Sequence, residues 1–182
     1  LITIFPKIEK KIKVLSFGIP FDFCDKAKNK NQNREREKIF LFVGMDHPIK
    51  NIAFIKRAFS EFKKDYRLSD YKLYLVTKKI TRDGLKQLYQ KATALLTASY
   101  YESFNLPVLE ALSLGCQVIG LESAIIPELT SYVNIAQNME DFVEKMRLIA
   151  MGQRKNIDEK SLKENFSWRS YFNKLRSLYG KI

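Results

Sequence analysis

A single histidine, His47, and two cysteines, Cys24 and Cys116, are all the imidazole and thiol that the 182 residues offer. Zinc clusters and histidine-based triads need more than that and are excluded. Two cysteines make no disulfide framework, and Cys116 opens an apolar run as a small buried hydrophobe would, which fits a reducing compartment. No uninterrupted apolar run is long enough to cross a bilayer, and there is no signal-peptide pattern, so the domain itself is expected to be soluble. No Gly-x-Gly-x-x-Gly follows any expected strand, which leaves a dinucleotide-dependent oxidoreductase without its phosphate loop. Acidic residues are also short, 20 against 32 Lys and Arg, for a net charge of +12. That excess would suit a polyanion, an anionic membrane surface or a phosphate-bearing substrate. Most of the lysines, however, are scattered along helices at exposed spacing and read as a solvated surface.

What is present is a chain with 46% hydrophobic residues, enough for one substantial core and best read as a single domain spanning residues 1–182. Residues 1–20 read as a linker and a first strand, the strand over 13–17, followed by the turn Gly18-Ile19-Pro20-Phe21-Asp22. Residues 26–38 are polar, without an apolar period, and predict an exposed loop. They contain no aromatic residue to stack a base, so a specific nucleic-acid partner is not expected. Residues 39–43 form a continuous apolar run closed by Gly44, as in a central parallel strand. A helix is expected from about Asn51, with Ile52, Phe54, Ile55, Ala58, Phe59 and Phe62 inward. A strand over 71–76 and a helix over 82–91 follow, the helix with Leu85, Leu88 and Tyr89 inward. A core-facing helix is expected over 139–151, and a closing helix over 166–182 with Ser167 as N-cap and its aromatic residues serving as packing. His47 reads as a loop residue.

The chain is organised around residues 101–120. A strand over 94–98 leads into Glu102, Pro107 occupies a first helical turn that tolerates it, and Gly115 ends the helix as a left-handed cap before a second strand over 116–121. Strand, helix and strand in so short a span make a βαβ unit whose loop opens at the carboxyl end of the first strand. The N–H groups near Phe104, Asn105 and Leu106, at the positive end of a helix dipole, are a natural phosphate seat. Glu102 and Glu110 would repel that phosphate and make most sense accepting hydrogen bonds from sugar hydroxyls. Taken singly, each also fits an ordinary structural role: Glu102 as a helix cap, Glu110 as a solvated helix residue. From the residues alone the expectation is a doubly wound, Rossmann-like α/β sheet with helices on both faces, binding a phosphorylated, hydroxyl-rich ligand.

The run Glu102-Ser103-Phe104-Asn105-Leu106-Pro107-Val108-Leu109-Glu110-Ala111, with Gly115-Cys116-Gln117-Val118-Ile119 after it, resembles the donor-binding C-terminal half of GT-B glycosyltransferases, specifically the large retaining family four. Gly44 to Asn51 resembles that family's Val-Gly-Arg-x-x-x-x-Lys-Asn segment, with Lys50 on the lysine and Met45 where the arginine stands. Leu85-Lys86-Gln87-Leu88-Tyr89 resembles its Leu-x-x-Leu-Tyr helix, and one βα unit of the usual two is absent before it. Phe166-Ser167-Trp168 resembles the family's Phe-x-Trp helix, which crosses back onto the N-terminal domain.

The resemblance implies a hexose transferred from a nucleoside-diphosphate sugar to a glycan or lipid-linked acceptor. It implies Glu102 and Lys50 as catalytic residues and a donor site of Gly44, Lys50, Glu102, Ser103, Phe104, Asn105, Leu106 and Glu110, with the base near residues 77–80. No metal and no cofactor are expected, and no Asp-x-Asp is present. The acceptor would be bound by an N-terminal domain that this sequence does not contain, so the chain alone should transfer sugar poorly. A cytoplasmic location is expected, with peripheral contact at the inner face of an anionic membrane. The competing expectation is a noncatalytic module of the same fold whose basic surface docks to membrane or nucleic acid. Met45 and the absent βα unit favour it, whereas Glu102, Glu110 and Lys50 speak against it; steep salt dependence without nucleotide affinity would identify it.

Overall fold

The computed structural model describes residues 12–24 and 36–180. Among the described residues, five strands form one sheet: β1 (Glu37–Val43), β2 (Lys72–Val76), β3 (Ala92–Thr97), β4 (Gln117–Leu121) and β5 (Asn134–Ala136). Their order is β2-β1-β3-β4-β5 and every pairing is parallel. The α-helices are α1 (Ile52–Phe62), α2 (Arg82–Lys91), α3 (Leu106–Ser113), α4 (Met139–Ala150), α5 (Glu159–Asn165) and α6 (Trp168–Tyr179). Parallel strands demand crossovers, and helices on both faces bury the centre of the sheet. The central strand β3, Ala-Thr-Ala-Leu-Leu-Thr, accordingly has no exposed residue.

Two cores follow from that sandwich. On one face α1 and α4 bury Ile55, Phe62, Phe142 and Met146 against Phe40, Phe42 and Leu96. On the other, α2, α3 and α5 bury Tyr89, Leu109, Leu112 and Leu162 against Leu41, Leu95 and Val118. The chain runs from β1 outward to β2 and then returns across β1 to β3, so the order reverses between the carboxyl ends of β1 and β3. Neighbouring helices leave the sheet toward opposite faces there and open a crevice, the usual ligand position in such sheets.

The opposite end of the sheet is tied down by Arg36. Its guanidinium donates to the carbonyls of Tyr89 at 2.8 Å, Ala92 at 2.9 Å and Gly115 at 2.7 Å, joining the ends of α2 and α3. Gly115, at φ 70°, is the expected left-handed cap. The N–H groups of Gly115 and Cys116 return to Leu112 and Ala111, which closes α3 and turns the chain straight into β4.

Three expectations are corrected. Residues 13–17 form no strand: Val14 is 76% exposed, and the segment is held by its far end, where Ile19 donates to the carbonyl of Phe166 at 2.7 Å. Gly18 is required by this docking, since a Cβ there would lie 2.6 Å from the backbone nitrogen of Trp168. The expected loop over 26–38 ends earlier, because Glu37 and Lys38 already belong to β1; residues 26–35 of that loop, like residues 1–11 of the expected linker, lie outside the described residues. Finally, the closing helix α6 starts at Trp168 and not at residue 166, and it buries none of its residues. Ser167 caps it as expected, accepting from Ser170 N–H at 3.0 Å, and Trp168, Tyr171 and Phe172 pack on one another and on Phe17 and Phe21, the packing role expected of them.

Candidate functional site

The loop after β1 carries Gly44, Met45, His47 and Lys50, and the loop after β3 carries Ser99, Glu102 and Ser103; the two meet where the strand order reverses. Tyr100 N–H donates to the carbonyl of Ile49 at 2.9 Å, which joins the loops directly. His47 closes the short 3-10 turn over Pro48–Lys50 by accepting from Ile49 N–H, so it is the loop residue that the sequence suggested. Across the junction Lys50 Nζ reaches Glu102 Oε1 at 2.6 Å, and Ser99 Oγ donates to the same oxygen at 2.7 Å. Both charged side chains are largely covered, Lys50 at 22% and Glu102 at 11% exposure. Gly44 lies beside them, since a Cβ on it would meet the Lys50 side chain at 3.7 Å.

Both helices that begin here start from an asparagine in the left-handed region, Asn51 at φ 50° before α1 and Asn105 at φ 59° before α3. Neither asparagine side chain caps its helix. Asn105 instead donates its side-chain amide to Thr97 Oγ1 at 3.2 Å and to the carbonyl of Ala124 at 3.0 Å, both buried. The backbone conformation is thereby fixed without spending the helix N–H groups. Among the described residues, no acceptor takes the N–H of Phe104, Asn105 or Leu106. The N-terminus of α3 therefore presents unspent donors close to Glu102, a geometry that attracts an anion.

The expected site residues sort by what their side chains touch. Phe104 is 8% exposed and packs edge-on against Phe17 and Phe166, and Asn105 is 7% exposed, so both offer a ligand only their backbones. Ser103 and Leu106 stand at the surface. Lys50 and Glu102 are brought together. Glu110 is not brought onto their shared contact: it lies in α3, 4% exposed, accepting from Arg82 Nη1 at 3.0 Å and from Tyr89 Oη at 3.1 Å. Burial raises the Glu110 carboxyl above its ordinary range, and the Tyr89 hydrogen bond and the Arg82 charge oppose that rise. Tyr89 itself is pushed well above its usual value by burial and by Glu110, so it stays a hydrogen-bond donor.

Next to this junction is a crevice of about 470 Å³ at the carboxyl ends of β1 and β2. Its walls are Val43, Gly44 and Met45 on one side, Val76 and residues 77–80 on another, with Arg82 and Leu85 of α2 closing it. Lys78, Lys79 and Arg82 are its charged walls, and no acid lines it. Met45 is 71% exposed and contributes no charge. The pairing of Arg82 with Asp22 escaped the sequence reading, in which Asp22 figured only as the end of the turn over 18–22. Only their position hints at a role, because a cation in the first turn of a helix opposes the helix dipole and needs compensation from elsewhere. Among the described residues, no helix is long and apolar enough to cross a membrane, and no group of three or more His, Cys, Asp or Glu is placed to hold a metal ion.

Comparison with known proteins supplies the family context. The model of the family described as "Glycosyl transferases group 1" matches residues 74–165, just over half of the chain. The chain is 27% identical over 134 residues to a D-inositol 3-phosphate glycosyltransferase from Kribbella flavida, an alignment covering 69% of this chain and 29% of that protein. It spans about a third or less of the length of the curated relatives it matches. Among solved structures, a TarM variant from S. aureus in complex with fondaparinux, alpha-GlcNAc-glycerol and UDP superposes with a TM-score of 0.68 at 15% identity, covering 96% of this chain and 41% of that one. The C-terminal domain of a glycosyl transferase group 1 family protein from Francisella tularensis superposes with a TM-score of 0.54 at 15% identity, over 75% of this chain and 83% of that one.

Proposed function

The chain belongs to the glycosyl transferases group 1 family, and we propose that it is the donor-binding half of a retaining family-four enzyme that moves a hexose from a nucleoside-diphosphate sugar to a glycan or lipid-linked acceptor. The observation that carries this reading is the Lys50–Glu102 contact at the reversal point of the sheet, flanked by the unspent N–H groups of Phe104, Asn105 and Leu106. A diphosphate seated on those amides meets the positive end of α3 on one side and Lys50 on the other. The base then falls to the adjoining crevice at residues 77–80, the ribose hydroxyls to Glu110, and the hexose hydroxyls to Glu102.

In the proposed reaction the bond from the sugar C1 to the diphosphate oxygen breaks, and its electron pair leaves with the nucleoside diphosphate. The acceptor hydroxyl oxygen forms the new bond on the same face of the ring, and its proton passes to the departing phosphate oxygen. Negative charge grows on that oxygen as the bond opens. In this reading Lys50 and the α3 amides meet that charge, and preorganised donors of this kind supply a large share of catalysis. With Met45 uncharged, Lys50 and the helix termini carry the charge compensation that an arginine would share. The acceptor is assigned to a further domain, consistent with a chain that spans about a third of its relatives.

The test is calorimetry of the chain with UDP and GDP. Binding of one of them, with weakened affinity in Lys50→Ala, supports the donor site. Binding of neither, together with steeply salt-dependent binding to anionic vesicles, identifies a noncatalytic basic module instead.

A further inference from the structure

We propose that Arg82 is a positioning residue for the donor, holding the Glu110 carboxylate ionised and fixed so that it can accept hydroxyl hydrogen bonds at the edge of the crevice. This rests on the reading of Glu110 as the ribose ligand. Arg82 sits in the first turn of α2, where the helix dipole disfavours a cation, and three contacts from two other elements hold it there. Its Nη1 lies 3.0 Å from Glu110 Oε1 in α3. Its Nε lies 3.4 Å from Asp22 Oδ2 in the 3-10 turn Phe21–Phe23. Its guanidinium carbon stands 5.4 Å from the centre of the Phe23 ring. The planar fork of a guanidinium can serve two carboxylates and a ring face at once, which an ammonium cannot.

The arrangement is asymmetric in a useful way. Arg82 and Asp22 are 56% and 57% exposed at their side chains, whereas Glu110 is 5% exposed at its own. Arg82 also lines the crevice, so it stands between that opening and a buried acid. The charged and titratable groups facing Glu110 are Arg82 and Tyr89 from α2 and Asp22 from the turn. Tyr89 donates to Oε2 and Arg82 to Oε1, and a carboxylate has about four acceptor positions, so these two bonds do not exhaust it. A protonated Glu110 would lose that capacity and present an O–H instead. Burial drives it toward that state and Asp22 assists, whereas the Tyr89 hydrogen bond and the charge and hydrogen bond of Arg82 oppose it.

The experiment uses the 182-residue chain labelled with 13C at its glutamate carboxyls, in wild-type, Arg82→Gln, Arg82→Lys and Asp22→Asn forms. The Glu110 titration is followed by NMR, and UDP and GDP binding by calorimetry, between about pH 5 and pH 8. Arg82→Gln should move the Glu110 midpoint upward and weaken nucleotide binding about tenfold as pH falls, beginning at a higher pH than in wild type. Arg82→Lys should restore part of both, and Asp22→Asn should move the midpoint down. An unmoved midpoint in Arg82→Gln, or an affinity loss equal at every pH, overturns the proposal. If the wild-type chain binds neither nucleotide, the donor reading fails and takes this role with it, even where the midpoint shifts as expected.

Discussion

Lys50 and Glu102, 52 positions apart in sequence, meet at 2.6 Å across the loops that follow β1 and β3. Before any ligand arrives, the cation assigned to the diphosphate and the acid assigned to the hexose neutralise one another. Each is thus kept oriented in a partly covered site without an uncompensated charge, and the pairing must be shared or exchanged when a donor enters.

Replacing Lys50 by Ala removes the charge that faces the proposed diphosphate. A charge-assisted hydrogen bond contributes about 1.5–3 kcal/mol, so the affinity for UDP or GDP should fall roughly tenfold to a hundredfold, read by calorimetry. Unchanged affinity would place the diphosphate elsewhere.

Glu110 and Glu128 separate ligand contact from local structure. Glu110→Ala should weaken nucleotide binding more than Glu128→Ala, because Glu128 is an exposed residue of the 3-10 turn Pro127–Tyr132, while Glu110 adjoins the crevice through Arg82. Glu110→Ala should also cost about 1–3 kcal/mol of stability by leaving the buried Tyr89 hydroxyl without its acceptor. Equal effects of the two variants on binding would remove Glu110 from the ribose.

Arg36 carries an expectation that concerns the fold alone. Arg36→Met leaves the carbonyls of Tyr89, Ala92 and Gly115 without their donor and should lower stability by at least about 2 kcal/mol in urea unfolding. Nucleotide affinity should hold, because Arg36 lies at the far end of the sheet. Loss of affinity at full folding would contradict that separation.

The elements that sequence periodicity located are those whose buried face decides their structure. The helix over 82–91 has the bounds of α2, with Leu85 and Tyr89 inward, and the inward set expected for α1 is buried or half-buried as α1 folds. Residues 13–17 read as a strand but find no place in the sheet, since strand formation depends on a partner and not on local preference. The aromatic pattern of α6 read as packing, yet amphipathicity alone could not say that its partners are Phe17 and Phe21. At the site, Lys50 and Glu102 were legible because each stands in a recognisable motif. The Asp22–Arg82–Glu110 chain was not, because it joins three elements far apart in sequence and none of its spacings repeats a pattern.

The account turns on the free amides at the start of α3, and the most direct measurement is the 15N–1H NMR spectrum of the chain titrated with UDP and with GDP. The resonances of Phe104, Asn105 and Leu106 should shift together with those of Gly44 and of residues 77–80 when one of the nucleotides is added. Shifts confined to the α1–α4 face, or none at those three amides with either nucleotide at saturation, would contradict it.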